Sequence, residues 1–213
     1  MNLFGFKEEK TTYRAIRHKI VRQKQKNNDI SINHPIEKIN QIKTNLSKNM
    51  NYKILELFSG QGTLTKVYQE YGVVDSFDKT TLDTGDSYLI FHKLISEKKK
   101  YDVIDVDPYG FPNRFFPDIF LLMDETKFFL TFPKPYVNIL NGITQTHLYS
   151  YFQKTNPSKD EILERIALFG LCHWKKVELI DSFETRSNWR FVFNVSKVLA
   201  TSYTGTNNRK VEI

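Results

Sequence analysis

The chain of 213 residues holds one cysteine, Cys172. An intrachain disulfide is therefore excluded, and so is a zinc site built from several thiolates. No run of about 18 apolar residues occurs, so no membrane span is expected. Met1 to Phe6 run directly into Lys7-Glu8-Glu9-Lys10, without the apolar core of a secretory signal. Cytoplasmic residence is the expectation. His34 has no second histidine near it in sequence, and no metal site is expected.

Residues 51–213 also lack a charge excess, with 20 Lys and Arg against 20 Asp and Glu. Residues 1–50 carry 11 basic and 4 acidic side chains, which is the whole net charge of +7. Tyr13, Ile16 and Ile20 follow helical spacing there, and Arg14, Arg17, Lys19, Arg22, Lys24 and Lys26 cover the rest. Such a helix can dock by its narrow apolar stripe while its basic face meets phosphate. A solvated helix surface is the other reading. A second helix is predicted from Asn33-His34-Pro35, with Ile36, Ile39, Ile42 and Leu46 on its inner side. The expected organisation is a basic helical extension over 1–50, a body over 51–200 and a polar tail over 201–213.

In the body, the apolar run Ile54 to Phe58 reads as a buried strand. It breaks at Ser59-Gly60-Gln61-Gly62 and resumes with helical spacing at Leu64, Val67, Tyr68 and Tyr71. Glycines there let the backbone approach a ligand, and the helix start offers free N–H groups. A second short strand, Val73 to Asp78, ends in a carboxylate about twenty residues on, the distance expected of a ribose-binding acid. Gly85-Asp86 precedes a helix over Tyr88 to Leu94, and a third strand, Tyr101 to Val106, runs into Asp107-Pro108-Tyr109-Gly110. Each of these βα units puts a polar group at a strand's C-terminal end, where open α/β sheets bind ligands.

Further on, Phe111 to Pro117 cannot be a helix interior, and its Phe111, Phe115 and Phe116 are either stacking surfaces for a flipped base or core. Phe128 to Phe132 reads as a strand. Tyr149, Tyr151 and Phe152 form a lid or nucleotide contact, or simply pack. Ser158 and Glu161 make a capping box for a helix with Ile162, Leu163, Ile166, Ala167 and Phe169 inside, ended by Gly170. Trp174–Phe183 and Trp189–Leu199 are two strands whose short connection makes them antiparallel.

The order Glu-Leu-Phe-Ser-Gly-x-Gly, Phe-Asp, Gly-Asp, Asp-Pro-Tyr, spread over Lys53 to Pro112, resembles the S-adenosylmethionine (SAM)-dependent class I methyltransferases. Asp107-Pro108-Tyr109 resembles the Asp-Pro-Pro-Tyr type motif of enzymes that methylate exocyclic amino groups of bases. The longer run Asp105 to Pro112 is nearest to the tRNA guanine-N2 dimethyltransferase family, although at 213 residues the C-terminal domain of that family is not expected here. The resemblance implies a Rossmann-like α/β sheet, mostly parallel and seven-stranded, with an antiparallel C-terminal hairpin and flanking helices. It implies SAM as cofactor, held by Glu56, Phe58, Ser59, Gly60, Gly62, Thr63, Asp78 and Asp86.

An exocyclic amine is a poor nucleophile, because its lone pair is delocalised into the ring. The enzyme must align it with an activated methyl group and supply an acceptor for its proton. The resemblance gives that role to Asp107, with the Pro108 carbonyl as a second acceptor and Tyr109 stacking on the base. Phe111 and Phe115, with Arg14, Arg17, Arg22 and Lys24, are the expected substrate contacts. Methylating a pyrimidine carbon needs a cysteine nucleophile instead. Cys172, expected to be buried at a helix end, does not serve it. The expected function is base N-methylation in nucleic acid, with RNA guanine-N2 and DNA adenine-N6 both open. A non-catalytic nucleic-acid-binding protein on the same scaffold and a small-molecule methyltransferase are the alternatives. Oligomeric state is left open.

Overall fold

Ile54, Leu55 and Leu57 have no exposed surface, and the run that carries them forms β1 (Tyr52–Leu57) in a computed structural model of the chain. The structure describes residues 34–78, 86–108, 110–135 and 145–198, with 145–147 described by backbone alone. It divides into two units, 1–45 and 46–213. Among the described residues the first unit holds one helix, α1 (Pro35–Asn45), with Glu37 in its first turn and Lys43 in its last. Both charges suit the helix dipole. The basic helix expected further upstream, with Arg14, Arg17, Arg22 and Lys24, lies outside the described residues, as does the tail over 201–213.

The second unit continues from β1 through α2 (Thr63–Tyr68), β2 (Gly72–Phe77), α3 (Ser87–Ser96) and β3 (Tyr101–Val106). Two short 3-10 turns, Pro112–Phe115 and Asp118–Leu122, lead into β4 (Met123–Pro133). Then come α4 (Gln145–Phe152), α5 (Lys159–Leu171), β5 (Lys175–Glu184) and β6 (Asn188–Lys197). The strands form one six-stranded sheet in the order β2-β1-β3-β4-β6-β5. β2, β1, β3 and β4 run parallel, and β6 and β5 close the sheet antiparallel. The expected C-terminal hairpin is thus present. Seven strands were expected from the resemblance, and six lie among the described residues.

Register sorts the strand residues onto two faces. Leu57, Val106, Leu130 and Phe191 share one row, and Ile104, Phe128 and Phe193 share another. These belong to an apolar core with Phe91, Leu94, Phe115, Phe120, Ile162 and Ile166. The other face carries Glu56, Asp105 and Phe129 in one row, with Thr131 opposite Arg190 in the next. Burial of three charged side chains on one face is costly unless they pair, and it marks that face as more than packing.

Two details differ from expectation. The capping box at Ser158 and Glu161 is formed, but Gly170 does not end its helix. It lies within α5, where an added Cβ would meet Val177 Cγ2 at 2.3 Å. Close approach of α5 to β5 explains this glycine. Cys172 is exposed, because it caps the end of α5 rather than facing the sheet.

Candidate cofactor and substrate site

The chain leaves β1 for β2 on one side and returns to β3 on the other, so strand order reverses between β1 and β3. Crevices at such switch points, beyond the strands' C-terminal ends, are the ligand sites of open α/β sheets. Leu57 stands opposite Val106 at this point, and the Asp107 N–H reaches the Leu57 carbonyl at 3.5 Å. The glycine turn after β1 and the Asp-Pro turn after β3 are therefore direct neighbours.

The turn after β1 is built from left-handed backbone. Phe58, Gly60 and Gly62 have φ of 69°, 55° and 76°. A Cβ on Gly60 would meet nothing within 4 Å, so this glycine faces open space and serves its backbone angle. The N–H groups of Phe58 and Ser59 both donate to the Phe77 carbonyl, at 2.9 and 3.1 Å, which ties the turn to β2. The Asp78 Oδ2 accepts the Gly60 N–H at 3.1 Å, and this carboxylate is 5% exposed. The Ser59 hydroxyl is buried and has no hydrogen-bond partner among the described residues. Thr63 begins α2. An open cradle over Gly60, an unsatisfied Ser59 hydroxyl and an acid beside them fit an adenosyl ligand rich in hydroxyl and amino groups.

Glu56 faces inward one residue before the strand ends and accepts the Thr65 hydroxyl at 2.6 Å. Burial, with smaller contributions from the Asp105 and Asp107 charges, pushes its carboxyl up to about 8. Asp86, expected to face the cofactor, caps α3 with its side chain, accepting the Tyr88 N–H at 2.9 Å. The Gly85 that precedes it lies outside the described residues.

Asp107 follows β3 with its side chain 20% exposed, its Oδ1 3.9 Å from Arg190 Nη1. The Pro108 carbonyl accepts the Gly110 N–H at 2.9 Å, which closes the turn. Tyr109 lies outside the described residues. Phe111 is half-buried and meets the Phe132 and Tyr151 rings edge-on at 5.2 and 5.8 Å. Tyr151 in turn donates to the Asn113 carbonyl at 2.9 Å. Phe115 is 4% exposed and packs edge-on against Phe58 at 5.5 Å and Phe91 at 5.0 Å. Its ring is core, because the 3-10 turn over Pro112–Phe115 rotates it under the glycine turn. Exposed stacking, expected of Phe115, is not what this position offers.

Sequence reasoning missed the polar cluster beneath Asp107. Asp105 has no exposed surface, and its Oδ2 accepts the Tyr68 hydroxyl at 2.7 Å and Arg190 Nη2 at 2.6 Å. Arg190 is 1% exposed and also donates to the Thr131 hydroxyl at 2.8 Å. Its Nη1 stands 3.9 Å from the Asp107 Oδ1. Burial alone would lower the Arg190 pKa, but the charges of Asp105 and Asp107 outweigh it and hold the guanidinium ionised. One signal was available: an arginine between Trp189 and Phe191 in an apolar strand must find a buried acid. Among the described residues no group of three His, Cys, Asp or Glu side chains is placed to hold a metal. No helix among them is long and apolar enough to cross a membrane.

No known family profile matches the chain, and no curated protein matches its sequence. Solved structures do match its fold. Trm1 from Pyrococcus horikoshii, in complex with S-adenosyl-L-methionine, superposes with a TM-score of 0.51 at 12% identity, over 68% of this chain and 51% of that one. The magnesium protoporphyrin IX methyltransferase ChlM from Synechocystis PCC 6803, with SAH bound, gives a TM-score of 0.51 at 13% identity, over 80% of this chain and 86% of that one. The chain spans about half the length of the Trm1 chain it matches. At such identities the likeness shows the fold, which is that of methyltransferases.

Proposed function

We propose that the chain is a SAM-dependent N-methyltransferase acting on an exocyclic amino group of a base in nucleic acid. The observation that carries this reading is the adjacency of two turns at the sheet's switch point. The glycine turn with Ser59, Gly60 and Asp78 sits beside Asp107-Pro108, Leu57 being in register with Val106. The fold shared with structures that hold SAM or SAH supports the cofactor. The expected hold on it comes from Glu56, Phe58, Ser59, Gly60, Gly62, Thr63 and Asp78, with Asp86 acting through the start of α3. When bound, SAM supplies an activated methyl group.

The chain's own residues do the rest. Asp107 accepts the amine proton as positive charge grows on nitrogen, and the Pro108 carbonyl offers a second acceptor. Tyr109 and Phe111 stack on the base. Burial raises the Glu56 carboxyl beneath the site, and Asp107 stands at the end of β3 beside the glycine turn. The basic side chains of residues 1–50 are assigned to phosphate. ChlM and Trm1 match the fold equally well, so the choice of nucleic acid over a small acceptor rests on that charge and on Asp107-Pro108-Tyr109. Whether the base is guanine in RNA or adenine in DNA is decided by assay.

Tritium transfer from labelled SAM to bulk tRNA, duplex DNA, single-stranded DNA and free nucleosides, run in parallel, tests the proposal. Label in one polymer and not in free nucleosides is the expected result. Label in free nucleosides alone points to a small-molecule enzyme. SAM binding by calorimetry with no transfer to any acceptor points to a non-catalytic binding protein.

A further inference from the structure

We infer that Arg190 is the positioning residue of this site: clamped from behind by Asp105 and Thr131, its guanidinium holds Asp107 ionised and aimed into the crevice. This rests on the reading of Asp107 as the proton acceptor. Arg190 stands on β6, two strands from β3, and its side chain crosses β4 with the guanidinium 5.7 Å from the Phe129 ring centre. Nη2 is fixed by Asp105 and Nη1 by Thr131, which sets the plane of the fork. Nη1 is then the nitrogen 3.9 Å from Asp107.

The geometry is not that of a pair built for stability alone. Arginine and carboxylate pair best through two parallel hydrogen bonds. Here Asp105 uses only Oδ2, which Tyr68 also occupies, while Asp105 Oδ1 and Arg190 Nε are buried with no partner among the described residues. The fork forgoes a bidentate contact with Asp105, and its second edge turns to Thr131 and Asp107. The groups that face it are Asp105 from β3, Asp107 from the turn after β3, Glu56 from β1, Tyr68 from α2 and Thr131 from β4. Burial raises the Glu56 carboxyl, and the charges that hold the guanidinium ionised are those of Asp105 and Asp107.

The decisive readout is the titration of the Asp107 carboxyl by 13C NMR, assigned with Asp107→Asn, and the pH profile of methyl transfer. Two variants are compared with the wild type: Arg190→Gln, which removes the guanidinium charge, and Arg190→Lys, which keeps a charge but loses the planar fork. In Arg190→Gln the Asp107 midpoint and the acidic limb of kcat should move to higher pH, with KM and SAM affinity within a few-fold, and Arg190→Lys should restore much of the wild-type midpoint. The kcat loss in Arg190→Gln should be largest at acidic pH and shrink as pH rises. An Asp107 midpoint unchanged in folded Arg190→Gln, or a loss equal at every pH, overturns the inference. Should neither variant fold, Asp107→Asn, at its partly exposed position, must move the 15N resonances of the Arg190 guanidinium; unmoved resonances overturn the inference as well. A wild type that titrates as expected but transfers no methyl to any acceptor would sink the reading of Asp107 and leave the hold of Arg190 standing.

Discussion

Asp78 and Gly60 are joined by a 3.1 Å hydrogen bond from the glycine N–H to the acid's Oδ2, so the end of β2 and the turn after β1 form one piece of the site. Asp78→Ala removes both an acceptor for the ligand and the tie that shapes the cradle. SAM affinity should fall by roughly 1–3 kcal/mol, the range for losing charged hydrogen bonds. Calorimetry on the folded variant checks this, and unchanged affinity would remove Asp78 from the site.

Asp107→Ala should separate binding from chemistry. Methyl transfer should disappear while SAM affinity stays within a few-fold, because the proposed role of Asp107 is to accept the amine proton rather than to hold the cofactor. Transfer near the wild-type rate would move the proton acceptor elsewhere. Asp105 would be a poor substitute, since it has no exposed surface and is held by Tyr68 and Arg190.

Glu56 should make stability depend on pH with a definite sign. Its folded-state value of about 8 lies above the ordinary 4.5, so the native state binds the extra proton between these values. The contribution is complete below about pH 4.5 and is lost as pH rises toward 8. At about 1.4 kcal/mol per unit, the loss amounts to a few kcal/mol. Glu56→Gln keeps an acceptor for Thr65 and cannot ionise, so denaturant midpoints of the variant should stay flat across this window while those of the wild type fall. Parallel curves would show that Glu56 is ionised in the fold.

Gly72→Ala and Gly170→Ala should rank by what the new methyl meets. At Gly72 the obstacle is backbone of the paired strand, the Tyr52 oxygen at 1.9 Å; at Gly170 it is the Val177 side chain at 2.3 Å. A side chain can rotate and a hydrogen-bonded strand cannot. Gly72→Ala should cost about 3 kcal/mol or more, and Gly170→Ala about 1–2. Urea denaturation that reverses the order would contradict this.

Replacing Arg14, Arg17, Arg22 and Lys24 by Gln should weaken nucleic-acid binding and flatten its dependence on log salt by roughly 0.7–0.9 per lost contact. SAM affinity and melting temperature should hardly move. An unchanged salt slope would make this charge a solvated surface.

The parts of the fold that could be read from the sequence were those fixed by local chemistry. Ser158 and Glu161 announce α5, and the short connection between Phe183 and Trp189 forces an antiparallel hairpin. The positions of Asp78 and Asp107, directly after β2 and β3, were legible in the same way. What escaped depended on strand order. Arg190 meets Asp105 only because β4 alone separates β6 from β3, a fact that a sequence separation of 85 does not reveal. Phe115 looked like a surface aromatic because its 3-10 turn carries no hydrophobic period, and Gly170 looked like a cap because its neighbour Val177 is on another element.

Cys172 ends α5 just before Lys175, which pairs with Lys197 at the far end of β6 from Asn188. Asn188 lies beside Pro133 at the strand ends that carry the crevice, so Cys172 sits at the opposite edge of the sheet, a six-residue parallel strand of about 20 Å away. As the chain's one thiol, and an exposed one, it is a natural anchor for a single fluorophore or spin label. Such a label would report the tumbling of a complex with a large acceptor while leaving the reacting atoms untouched.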